Sequence, residues 1–221
     1  MSTTLPLEPG KFYHIYNRGN NGENIFIAER NYSYFLRLYF KHIEPVAQTF
    51  AYCLLRNHFH TCVRIREERP GRFPNDGQQV ITASKASMAT SPDDLGKTCQ
   101  VSSASQAFSN LFNAYTKSIN KAYGRSGSLF EKPFQRREIT SPQYGLRVIH
   151  YIHWNPQKHG FVKDFREWPY SSYHALLSDK PTHLQREQVL EWFNGRLEFD
   201  AVHQMLTDEK EIREVIGDDE D

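Results

Sequence analysis

Apolar side chains in residues 29–43 fall at Tyr32, Phe35, Leu36, Tyr39, Phe40 and Ile43. Steps of three and four predict an amphipathic helix. Residues 105–123 repeat the pattern with Phe108, Leu111, Phe112, Tyr115 and Ile119, and Gly124 follows as a stop signal. Other stretches read as strands: 11–17 (KFYHIYN), then 47–55 (AQTFAYCLL) and 58–66 (HFHTCVRIR), which are joined at Arg56-Asn57 as an antiparallel hairpin, and a shorter run at 134–139. A helix is expected over 142–155, with Pro142 near its start and Pro156 as its stop. Two more helical patterns lie near 185–194 and 198–216.

This succession predicts an α+β fold, a ferredoxin-like antiparallel sheet with helices on its faces, plus a helical C-terminal extension. Composition divides the chain further. Residues 67–104 are crowded with Pro, Gly, Ser, Thr and Asp, and are expected to form a flexible insertion within a domain spanning 1–177. The extension, 178–221, ends in an acidic tail with eight carboxylates in its last fifteen residues, expected to be solvated from about Thr207.

The formal net charge is +1, so no globally basic nucleic-acid binder is indicated. The distribution is uneven, however. Lys117, Lys121, Arg125, Lys132, Arg136 and Arg137 cluster between residues 107 and 140. Lys117, Lys121, Arg125, Arg136 and Arg137 are candidate phosphate contacts, with Arg18 and Asn20 after the first strand. For any single lysine, a solvated surface charge is the simpler reading. The 12 Tyr and 15 Phe offer rings for a core and for stacking on bases. Cys53, Cys62 and Cys99 are too few and odd in number for a disulfide framework, and no long apolar run could span a membrane, so a cytoplasmic protein is expected.

Two segments carry candidate chemistry. In a strand, His58 and His60 point to one side and Phe59 to the other, with the imidazoles about 7 Å apart along the chain. Such a pair can share a divalent metal, although a lone His-x-His also arises by chance. A structural zinc using His58, His60, Cys62 and Cys53 is a minor alternative, because no Cys-x-x-Cys pair is present. In 151–156 (YIHWNP), Tyr151 and Asn155 are four apart on one helix face, and the Asn155 carbonyl oxygen suits Mg²⁺ or Mn²⁺. Taken alone, this segment reads as an aromatic helix end packed on the sheet. Tyr115 is a rival nucleophile, but its stripe looks like core.

Together with 13–21 (YHIYNRGNN), 51–60 (AYCLLRNHFH), 124–130 (GRSGSLF) and 168–173 (WPYSSY), these segments resemble the REP-associated tyrosine transposases, a branch of the single-tyrosine HUH transposases. The resemblance spans about residues 11–177, and the segment after the HUH strand is longer than the family usually shows. It implies that Tyr151 is the nucleophile and that His58, His60 and Asn155 hold Mg²⁺ or Mn²⁺. It further implies a single-stranded DNA substrate with a hairpin, typically a repetitive palindromic element, cut and rejoined through a 5′-phosphotyrosine by a monomer or a homodimer. The competing reading is a non-catalytic nucleic-acid-binding module on the same frame.

Overall fold

The computed structural model describes residues 6–67 and 103–205. Most of the expected insertion, residues 68–102 with Cys99, and the acidic tail from Thr207 lie outside these residues. Strands β1 (Phe12–Arg18), β2 (Ala47–Leu54), β3 (His58–Ile65) and β4 (Gln135–Ile139) form one antiparallel sheet in the order β2-β3-β1-β4. Helix α1 (Glu29–Ile43) connects β1 to β2, and α2 (Ala104–Tyr123) connects β3 to β4. Both the connection order and the strand order are those of the ferredoxin-like plan, and the fold is α+β.

Each face of the sheet has its own core, because side chains alternate along the strands. Tyr13, Ile15, Phe59 and Val63 join Phe35 and Tyr39 of α1 and Phe108, Leu111 and Tyr115 of α2 in one cluster. The Tyr39 hydroxyl lies 2.8 Å from Thr61 Oγ1 and 3.1 Å from Thr49 Oγ1, which ties α1 to β2 and β3. The opposite face takes helix α3 (Pro142–Lys158), whose Val148, Ile149 and Ile152 pack with Phe50, Cys53 and Cys62. Helix α2 starts at Ser103, whose side chain accepts from the Gln106 amide, and stops at Gly124, whose φ of 63° a side chain would resist.

One expectation needs correction. Helix α3 does not stop before Pro156 but runs to Lys158. Proline disfavours helical geometry in the residue before it without forbidding it, and in the last turn its missing N–H costs a single intrahelical bond. The termination is a Schellman arrangement two residues later. Gly160, with φ of 68°, donates to the Gln157 carbonyl at 3.0 Å, and Phe161 donates to the Pro156 carbonyl at 2.9 Å.

The chain after α3 returns along β2. Tyr170 accepts from the Leu54 amide, the Ser172 amide donates to Tyr52, and the Gln185 amide donates to Thr49, so this edge of the sheet is covered. Helices α4 (Tyr173–Leu177), α5 (Arg186–Trp192) and α6 (Arg196–Met205) follow, and Trp192 of α5 stacks on Phe50 at 4.9 Å. Sequence periodicity anticipated α5 and the start of α6, but not α4. Among the described residues no helix is long and apolar enough to cross a membrane.

A chain of buried hydrogen bonds fastens α6 to α3. The Phe199 carbonyl can only accept, so His203 Nδ1 donates to it at 2.7 Å. His203 Nε2 then accepts from His153 Nδ1 at 2.9 Å, and His153 Nε2 accepts from the Ser172 hydroxyl at 2.7 Å. His150 lies beside this chain, its ring 5.2 Å from that of His203. Burial pushes His203 down to about 3 and His150 down to about 4. Both stay neutral in the folded protein where the unfolded chain would take up protons, so their stabilisation is complete above about 6.5 and is lost as pH falls towards 4. The slope reaches about 1.4 kcal/mol per pH unit for each group. Thermal unfolding followed by circular dichroism should give a Tm several degrees lower at pH 5 than at pH 7; equal values would contradict this account.

Candidate active site

β3 presents His58 and His60 to α3, with ring centroids 5.1 Å apart. From α3, the Tyr151 ring meets His60 edge-on at 5.6 Å and His14 at 6.0 Å. One turn on, Asn155 brings Oδ1 to 3.5 Å from His58 Nε2. The amide is oriented from behind, because its Nδ2 donates to the Tyr151 carbonyl at 3.3 Å. The four residues thus converge from strand and helix, although 91 positions separate His60 from Tyr151 (151 − 60).

The imidazoles are also oriented. His58 Nδ1 lies 2.8 Å from Asn57 Oδ1, an acceptor, so the proton sits on Nδ1 and the lone pair of Nε2 faces Asn155. His60 Nδ1 lies 3.0 Å from His14 Nε2, and the two rings stack. His60 Nε2 is buried without a hydrogen-bond partner. Burial, reinforced by neighbouring His159, pushes His58 down to about 3, and burial holds His60 well below the usual imidazole range. Both rings are neutral at pH 7. The set offers the His58 Nε2 lone pair, the unpartnered His60 Nε2 and one amide oxygen, which fits a divalent cation when His60 carries its proton on Nδ1. Among the described residues no group of three or more His, Cys, Asp or Glu could hold an ion, so a cation here depends on Asn155.

The zinc alternative has little chemistry behind it. Cys53 and Cys62 are buried free thiols, and burial pushes Cys62 up to about 12 and Cys53 well above its ordinary value. Among the described residues these thiols and His58 and His60 form no group that could hold an ion. Tyr115 lies on the other face of the sheet, fully buried, with its hydroxyl donating to the Ile25 carbonyl at 2.8 Å.

A pocket of about 860 Å³ opens in front of the histidines, and its lining includes Tyr16, Arg18, Asn57, Arg137, His159 and Phe161. Tyr151 lies behind the imidazoles rather than in the pocket wall, with 1% of its surface exposed. The basic residues singled out in the sequence do not form one surface. Arg137 pairs in register with His14, and Arg18, held by Glu131 at 2.8 Å, also lines the pocket. Arg136 is at the rim but sends Nη1 to Ser105 of α2 at 2.9 Å. Lys117 and Lys121 are exposed on α2, which packs against the opposite face. Arg125 is paired with Glu23, and Asn20 donates to the Ser128 carbonyl at 3.0 Å, so both stitch loops together.

Sequence reasoning gave no role in the site to His14, Asn57, Lys158 or His159. Strand periodicity could have found His14, which shares the His58 and His60 face once β1 is paired with β3. Lys158 was hidden by ending the helix at Pro156.

Fold and site together define an antiparallel-sheet protein with a histidine pair and a tyrosine gathered across its strand and helix layers. No family model matches the chain. Over 127 residues it is 26% identical to a Haemophilus influenzae protein provisionally named a REP-associated tyrosine transposase. That match takes in 58% of this chain, which spans 59% of the relative's length. A solved structure described as a REP-associated tyrosine transposase bound to a REP hairpin aligns with a TM-score of 0.55 over 82% of this chain and 88% of that one, at 16% identity, and so shares the fold. Both proteins carry the name of the family that the sequence motifs resemble.

The role given to Asn57 can be checked without substrate. Imidazole nitrogen shifts in NMR should report a single Nδ1-protonated His58 in the parent protein and a mixture of tautomers in Asn57→Ala. An unchanged pattern in the variant would remove Asn57 from the site.

Proposed function

We propose that the protein is a metal-dependent single-strand DNA endonuclease and transposase that cuts and rejoins DNA through a 5′-phosphotyrosine on Tyr151. The observation that carries this reading is the meeting of His58, His60 and Asn155 with the Tyr151 ring. The relative's name and the hairpin-bound structure of the same fold support a hairpin of the repetitive palindromic kind as the substrate.

His58 Nε2, His60 Nε2 and Asn155 Oδ1 would hold Mg²⁺ or Mn²⁺. When bound, the ion would polarise the scissile phosphate and offset charge on the departing oxygen. The chain's own residues do the rest. Asn57 and His14 keep the imidazoles turned towards the cation. Arg18 and Arg137 at the pocket rim attract the phosphate backbone and give a salt-dependent affinity. Tyr151 Oη attacks phosphorus, the bond to the 3′ oxygen breaks, and the phenolic proton is balanced by the proton that the 3′-hydroxyl gains. The phosphodiester energy is kept in the tyrosyl ester, so the reverse attack by a 3′-hydroxyl restores the strand. The phenol must first move out from behind the imidazoles.

Incubating the protein with a single-stranded hairpin oligonucleotide and Mn²⁺ should give an adduct that survives denaturing electrophoresis. Tyr151→Phe should abolish the adduct, and His60→Ala or chelator should reduce it by about 10²-fold or more. The burial of Tyr151 favours a second reading, a hairpin-binding module without catalysis. That reading requires tight, chelator-insensitive binding and no adduct from the parent protein.

A further inference from the structure

We propose that Lys158 is a further catalytic residue, the group that stabilises charge on the Tyr151 oxygen as the tyrosyl ester forms and breaks. The inference rests on the reading of Tyr151 as nucleophile and deepens it.

Tyr151, Asn155 and Lys158 occupy positions i, i+4 and i+7 of α3, which share one face of a helix. They do so only because the helix continues past Pro156 and is closed at Gly160. Lys158 Nζ donates to Tyr151 Oη at 3.4 Å and sits 5.1 Å from the centre of its ring. Arg18 and Arg137 line the pocket, whereas Lys158 meets the phenol behind it. Among the described residues no carboxylate forms an ion pair with Lys158. Its side chain is half-buried, so its charge is less screened by water than that of a surface lysine.

The reaction needs such a group. As the Oη–phosphorus bond forms, the O–H bond is lost and negative charge gathers on Oη. As the ester is broken in rejoining, the same oxygen departs as a phenolate. A cation within hydrogen-bonding distance stabilises both situations by its charge and takes no part in the proton balance. The His58, His60 and Asn155 cluster addresses the phosphate and the 3′ oxygen, which leaves the phenolic side of the bond to Lys158. Because Lys158 stands on the same helix as Tyr151, a shift of that helix end would carry both.

The test uses the full chain, a hairpin oligonucleotide and Mn²⁺, comparing the parent with Lys158→Met, Lys158→Arg and Lys158→Ala. Single-turnover adduct formation and rejoining of the isolated adduct should both slow about 10²- to 10³-fold in Lys158→Met. Lys158→Arg, which keeps the charge, should recover part of the loss. Affinity for the same hairpin in chelator, where no cutting occurs, should change by less than about threefold in every variant, since one phosphate contact at most is lost. Methylammonium should raise the rate of Lys158→Ala with increasing concentration and leave the parent unaffected. Rates in Lys158→Met within threefold of the parent in both directions would overturn the proposal. So would a rate loss matched by an equal loss of affinity, or one that neither arginine nor methylammonium relieves. Absence of any adduct in the parent would instead bring down the reading of Tyr151 itself.

Discussion

Phe59 leaves β3 towards α1 and α2, while His58 and His60 leave it towards α3. One central strand therefore anchors the hydrophobic core with the residue that separates its two functional side chains. Phe59 packs against Phe35 at 5.2 Å and Phe112 at 5.8 Å, so the register of β3 is fixed by several aromatic contacts. A slip of one residue would send both imidazoles into an apolar layer and Phe59 to the pocket, at a cost no local adjustment recovers. The hydrophobic effect thus sets the direction of the polar groups.

The other half of the site depends on a helix that the core holds less directly. Helix α3 sits on β2 and β3 through Val148, Ile149 and Ile152, and its last turn reaches over the histidines. Its closing glycine and the Pro156 carbonyl define where that turn ends. The sheet supplies the imidazoles and the helix supplies an amide oxygen, a phenol and an ammonium. Because the imidazoles meet the helix groups across the gap between two layers, a small displacement of the helix would alter all of those distances at once.

Much of the frame was legible in the sequence. The steps of three and four from Tyr32 to Ile43 gave α1, and the alternation around His58-Phe59-His60 gave both β3 and the face that each side chain takes. Patterns of this kind are local, and tertiary packing reinforces them. What stayed hidden was non-local or conditional. Nothing in the order of residues places His14 beside His60, since strand pairing between β1 and β3 makes that contact. Pro156 was read by its usual effect, whereas a position in the final turn tolerates it. Lys117 and Lys121 were grouped with Arg136 and Arg137 because they are near in sequence, yet α2 and the pocket lie on opposite faces of the sheet. The burial of Tyr151 agrees with reading 151–156 alone as an aromatic helix end packed on the sheet, a pattern that looks the same whether the residue lines a core or a reactive cleft.

The hydrogen bonds from Ser172 through His153 to His203 change how the last described helix should be regarded. His153 lies two residues from Tyr151 and two from Asn155, and its ring is held at one end by Ser172 of the segment that covers β2 and at the other by α6. The distal helices are thus a brace on the segment that carries the reactive phenol, transmitting rigidity inward through three neutral side chains. A tag, fusion or truncation made near residue 200 for convenience would act on the orientation of that segment.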